Sequence, residues 1–302
     1  MTKPAPKTIL ICVALFFFFV LVQFPFKNFR GKIFEQIYRG SGILMTADDM
    51  GLSFFGWPGI SFTNLNVDVQ SAGFRIGAKE AVVRVGIGQL WPPALSYSGS
   101  LDEVSTGGDL WFRFVDGGDA YRIGAELTKF DGKAITFYQT PAPISGPISG
   151  DIDLGLNFKQ PSESSGYVRL EGKNLVLQPQ NYPPYFSISE PTKFGPGKII
   201  INISNGVAEI VEFQFGDGKS DMTIKLTGQL KLEPNFYQSH LKLRLDVQMS
   251  DAFANSQNAR DLKGYLSTFL LSNGSYAMQW DKTLAQLTDM GSFGPLPQPI
   301  PR

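Results

Sequence analysis

Two stretches near the C-terminus alternate apolar and polar side chains without an error, and a period of two rules out a helix for either. In MTIKLTGQLKL, Met222, Ile224, Leu226, Leu230 and Leu232 share one phase, and Thr223, Lys225, Thr227, Gln229 and Lys231 share the other. In SHLKLRLDVQM, Leu241, Leu243, Leu245, Val247 and Met249 stand against His240, Lys242, Arg244, Asp246 and Gln248. Successive side chains of a strand point to opposite faces, so the pattern predicts antiparallel strands with one dry and one wet face. Leu226 and Leu243 are expected to be buried, Lys225 and Lys242 exposed. Upstream, KIIINI and VAEIVEFQF flank Ser204-Asn205-Gly206, and Asn-Gly between apolar runs is the strongest short hairpin signal.

The same period begins near Ile60. Leu65, Val67 and Val69 oppose Asn64, Asn66 and Asp68, and FRIGAKEAVVRV follows with a phase slip at Lys79-Glu80. LWFRFVD and AYRIGAELTKFD flank a turn at Asp116-Gly117-Gly118-Asp119. GDIDLGLNFK and GYVRLEGKNLVL are joined by a polar loop from Gln160 to Gly166. A glycine followed by alternating apolar residues recurs in GPISGDIDLGLNF, SGYVRLEGKNLVL and IKLTGQLKLEP. It is too irregular for a solenoid and suggests one hairpin-like unit used repeatedly. A helix is predicted in SQNARDLKGYLSTFLL, with Ser256 as N-cap, an apolar stripe of Leu262, Tyr265, Leu266, Phe269 and Leu270, and a stop at Asn273-Gly274. The strand SYAMQW precedes a Pro-rich tail, 291–302, which cannot enter a sheet interior.

At the other end, Ile9 to Val22 is an unbroken apolar run, interrupted only by Gln23 and Pro25 before Phe26. About eighteen residues at ~1.5 Å each nearly span a hydrocarbon core of roughly 30 Å. A cleaved signal peptide would also be basic then apolar, but the small-residue cleavage site is missing, which favours an uncleaved anchor. Positive charges flank both ends, so charge counting leaves the orientation open for a domain this long. Residues 27–40 place Phe29, Ile33, Phe34, Ile37 and Tyr38 at helical spacing, for packing on the domain or lying on a membrane. The aromatics of SFFGWPG could plug the core or touch a membrane. The expected organisation is therefore an anchor over 1–26, a connecting helix over 27–40, a β domain over 41–290 and the tail.

The inventory for chemistry is poor. With 27 basic and 27 acidic residues the net charge is +0, which argues against a nucleic-acid partner. The single histidine, His240, cannot build a multi-histidine metal site, and the single cysteine, Cys12, lies in the apolar run. Asp48-Asp49 and Asp102-Glu103 are adjacent on extended chain and point apart, unlike an acid–base dyad. Asp151 and Asp153 share a strand face about 7 Å apart, a weak cation site that a wet sheet face explains as well. Gly86-Ile87-Gly88 opens no phosphate-binding fingerprint. No enzyme, cofactor or metal is expected.

The single N-terminal anchor, the glycine-punctuated GPISGDIDLGLNF–GYVRLEGKNLVL and the block KIIINISNGVAEIVEFQFGDGKSDMTIKLTGQLKLEPNFYQSHLKLRLDV together resemble the type II secretion system protein N family. That family is in turn similar to AsmA-like proteins. The resemblance implies a mainly β, antiparallel, curved sheet (an AsmA-like groove or open sandwich) with one N-terminal transmembrane helix and one or two further helices. It implies an inner-membrane anchor, a periplasmic domain, and secretion-system components as partners, and it transfers no catalytic residue. Two functions follow: an accessory protein that assembles or stabilises a secretion apparatus, and a lipid-binding module. In either case Met222, Ile224, Leu226, Leu230, Leu241, Leu243, Leu245 and Val247 are the candidate lining of a core or a groove.

Overall fold

The computed structural model describes residues 26–53, 59–69, 74–89, 94–104, 108–117, 120–131, 135–137, 140–141, 144–182, 186–288 and 298–299. The apolar run Ile9–Val22 and the aromatics Phe54, Phe55 and Trp57 lie outside them. Among the described residues no helix is long and apolar enough to cross a membrane.

The chain is mainly β, dominated by one 18-stranded antiparallel sheet. Helix α1 (Phe26–Ser41) leads into β1 (Ile43–Thr46) and β2 (Asp49–Ser53), which both pair with β3 (Gly59–Val69). There follow β4 (Phe74–Gln89), β5 (Ala94–Val104), β6 (Asp109–Asp116), β7 (Ala120–Asp131), β8 (Pro147–Asn157) and β9 (Ser165–Leu177). The sheet continues with β10 (Thr192–Ser204), β11 (Val207–Phe215), β12 (Met222–Lys231), β13 (His240–Met249) and β14 (Tyr276–Thr283). From β3 to β14 each of these strands pairs with the next. At ~4.8 Å per strand, that meander is about 50 Å wide.

Because antiparallel partners point to the same side, the register fixes which residues share a face. Phe62, Ala81, Leu101, Leu110, Leu127, Gly150, Leu170, Ile199 and Phe213 are successive partners from β3 to β11. Beyond the irregular β11–β12 pairing the row resumes as Leu226, Leu245 and Met278. One face of the whole sheet is thus apolar. The other carries ion pairs such as Arg122–Asp153 at 2.9 Å and Lys198–Glu212 at 2.8 Å.

The expected phase slip at Lys79-Glu80 belongs to a line of irregularities crossing β3 to β9. Asn64, Glu103, Lys129 and Asn174 take left-handed φ values of 51°, 46°, 50° and 52°. Between β7 and β8 the register shifts by one residue there, and the Lys129 amide donates to Ser149 Oγ at 2.9 Å. Each such residue flips the apolar phase, so Phe62 and Leu65, or Leu127 and Phe130, both face the dry side. Beyond this line, at the base of the sheet, the large side chains Val104, Leu175 and Phe194 are fully buried, at 1 %, 1 % and 2 % exposure.

Helices cover parts of the dry face. Ile33 and Phe34 of α1 pack on Met50, Phe62, Leu65 and Ala81, so this helix packs on the domain. The expected C-terminal helix is three short pieces: a 3-10 turn at Gln257–Ala259, helix α2 (Arg260–Leu266) and a second turn at Ser267–Phe269. The Ser256 side chain accepts from the Ala259 amide as its cap. Leu262, Leu266 and Phe269 are buried against Met222, Val247 and Met278, whereas Leu270 is exposed. Of the Pro-rich tail, Gln298–Pro299 pairs with Met278 and Gln279 at the outer edge of β14.

Candidate apolar groove

A closed sandwich needs a second sheet over the dry face. The only other sheet among the described residues is the two-stranded pair Gln180–Tyr182 and Phe186–Ile188. Between the helices, no second sheet covers the apolar face of the C-terminal strands among the described residues. Leu226, Leu243 and Leu245 are half-buried, unlike the buried interior expected for Leu226 and Leu243, while Lys225 and Lys242 are exposed as expected.

A cavity of about 460 Å³ sits on this face, and no polar atom faces it. Its walls include Ile224, Leu226, Leu241, Leu243 and Leu245, together with Phe213, Phe215 and Trp280. A second cavity, about 270 Å³, continues it beneath α2, where Met222 and Val247 meet Leu262, Tyr265 and Leu266. Ile224, Leu245 and Trp280 line both. Seven of the eight candidate residues thus converge on one continuous surface. Leu230 lies on the same face as the register partner of Leu241. Phe213 and Phe215 follow from the alternation of VEFQF, and Trp280 from that of SYAMQW. Ile144 and Phe194, which also line the first cavity, sit beside irregular pairings where the period gives no phase.

The strand ends opposite the base form an aromatic rim. Rings of Tyr97, Phe114, Tyr121, Phe158, Phe236 and Tyr237 follow one another with centroids 5.8 to 6.5 Å apart. Phe236 is 46 % and Tyr237 61 % exposed.

The polar face holds the titratable residues singled out in the sequence. His240 Nε2 meets Asp281 Oδ1, and the imidazole holds that carboxyl below the usual carboxylate range. Asp153 takes two hydrogen bonds from Arg122, at 3.2 and 2.9 Å, which lower its pKa. Asp151 is the hydrogen-bond partner of the Tyr167 hydroxyl and pushes that group up. Asp48 Oδ2 accepts from Asn64 Nδ2 at 2.7 Å, and Asp49 Oδ1 accepts from the Met50 amide at 2.9 Å. Glu103 pairs with Lys79 at 2.7 Å, whereas burial, then Asp109 and Glu80, raise the Asp102 carboxyl. Each carboxylate serves the sheet locally, and no cluster of three or more metal-ligating side chains occurs among the described residues.

Comparison of the chain with protein-family models, with curated proteins and with solved structures gives no match. The functional reading therefore stands on the groove itself.

Proposed function

We propose that the chain is a non-enzymatic, membrane-anchored protein that holds acyl chains on the open apolar face of a curved, AsmA-like sheet. The observation that carries this is the cavity with purely apolar walls between half-buried leucines, which no second sheet faces among the described residues. Leaving a continuous apolar surface in water is unfavourable by about 25 cal/mol per Å², and such patches mark binding sites. In this reading Ile9–Val22 spans the inner membrane once and the sheet lies in the periplasm. The resemblance to the type II secretion system protein N family would place it beside a secretion apparatus. The exposed rings of Phe236 and Tyr237 support a protein contact there, and an accessory role in assembly is the second reading.

The test is lipid extraction and native mass spectrometry of the detergent-purified full-length protein. Stoichiometric phospholipid is expected, and Leu243→Asp should lose it while keeping wild-type circular dichroism, since the charge can reach water from an open wall. Lipid-free wild-type protein that takes up none from vesicles would overturn the groove reading. The secretion reading fails if cross-linkers placed at Phe236 and Tyr237 capture no secretion-system component in cells.

A further inference from the structure

The apolar phase of β14 runs Tyr276, Met278, Trp280 and then Lys282, the register partners of Val247, Leu245, Leu243 and Leu241. Lys282 therefore stands on the groove side, one position beyond Trp280, at the rim where the walls end. It is half-buried, and among the described residues neither an ion pair nor a side-chain hydrogen bond engages its ammonium. On the dry-face phase of β12, β13 and β14 it is the only charged residue. Neighbouring charges are engaged elsewhere: Asp281 faces the other side with His240 and Lys242, and Glu233 pairs with Lys231 at 3.1 Å.

A cation at the end of a wall that is otherwise carbon leaves one charge for a ligand to satisfy. Its stem can lie along Leu241 while its ammonium reaches the aqueous edge. On the same strand ends Tyr237, 61 % exposed beside Phe236, is an amphipathic aromatic of the kind found at headgroup level. We infer that Lys282 is the headgroup contact of the groove, selecting amphiphiles with an anionic, phosphate-type headgroup over zwitterionic ones. This rests on the acyl-chain reading above.

Full-length protein in detergent, incubated with vesicles of equal phosphatidylglycerol and phosphatidylcholine and re-isolated, tests it by the lipid extracted. Wild type should carry phosphatidylglycerol in about threefold excess, the effect of one partly screened charge. Lys282→Gln should bring the ratio to one with total lipid unchanged, and Lys242→Gln, on the polar face, should leave the excess intact. Leu243→Asp should lose both lipids. Inorganic phosphate in excess should not abolish the preference; if it does, the site binds free anion and the assignment falls. An equal ratio in wild type, or an excess that survives in Lys282→Gln, overturns Lys282 alone. Absence of any lipid in wild type overturns the groove reading as well.

Discussion

At the scale of single residues, exposure separates groove wall from core. Leu243 is half-buried beside open space, and Phe130 is 4 % exposed in a cluster with Ile76, Ala78 and Val104. Leu243→Ala should cost about 1–2 kcal/mol by denaturant unfolding and Phe130→Ala about 3–5 kcal/mol. Equal costs would mean that the wall is a packed interior. The leucines were legible because alternation assigns a face to each side chain. How deeply that face is buried was not, since alternation carries no information on what lies opposite. Gly228 shows what the recurring glycines of the sequence do. Its φ is +138°, and a Cβ there would lie 2.0 Å from the Lys242 carbonyl oxygen. The L-x-G-x-L strand thus needs glycine to let two backbones approach within the apolar row.

At the scale of elements, the β7–β8 pairing is tied on the polar face by Arg122 and Asp153. Because the folded-state pKa of Asp153 is held below its ordinary 3.8, its contribution is present at neutral pH and is lost as the pH falls through that lowered value. The pair is partly exposed, so the gain is at most about 1 kcal/mol. Asp153→Asn should be less stable than wild type at pH 6, with the difference shrinking as the pH falls below the ordinary carboxylate range, by thermal unfolding at each pH. A constant difference across the range would exclude the ionic origin. Among the elements, hairpins with Asn-Gly or Gly-Gly turns were legible from turn chemistry. The slip at Lys79-Glu80 was visible too, as two charges interrupting an apolar phase. Its partners at Glu103 and Lys129 were hidden, because a left-handed Lys or Glu leaves no compositional trace, whereas Asn64 and Asn174 are of the type that favours that conformation. The C-terminal helix gives way to a 3-10 turn where the Ser267-Thr268 pair weakens a regular α-helix.

At the scale of the molecule, β3 to β14 touch mainly their sequence neighbours, and the buried residues fall into separate clusters. One joins α1 to β2–β4, and another joins the C-terminal strands to α2. Such a chain behaves as a linear array, so denaturation should occur in more than one step. Hydrogen exchange should show Phe34→Ser loosening β2 to β4 while leaving β12 to β14 protected. A uniform loss of protection would mean a single cooperative unit. Sequence reasoning reached the antiparallel sheet but left trough and sandwich open, because closure is decided by elements far apart in the chain. The sequential order of the strands also makes the fold extensible. A hairpin inserted between any two neighbours would find both edges ready to pair and would lengthen the apolar face by about 10 Å without disturbing either end. On the acyl-chain reading proposed above, the length of chain held would then change by duplication of a single genetic segment, one hairpin at a time.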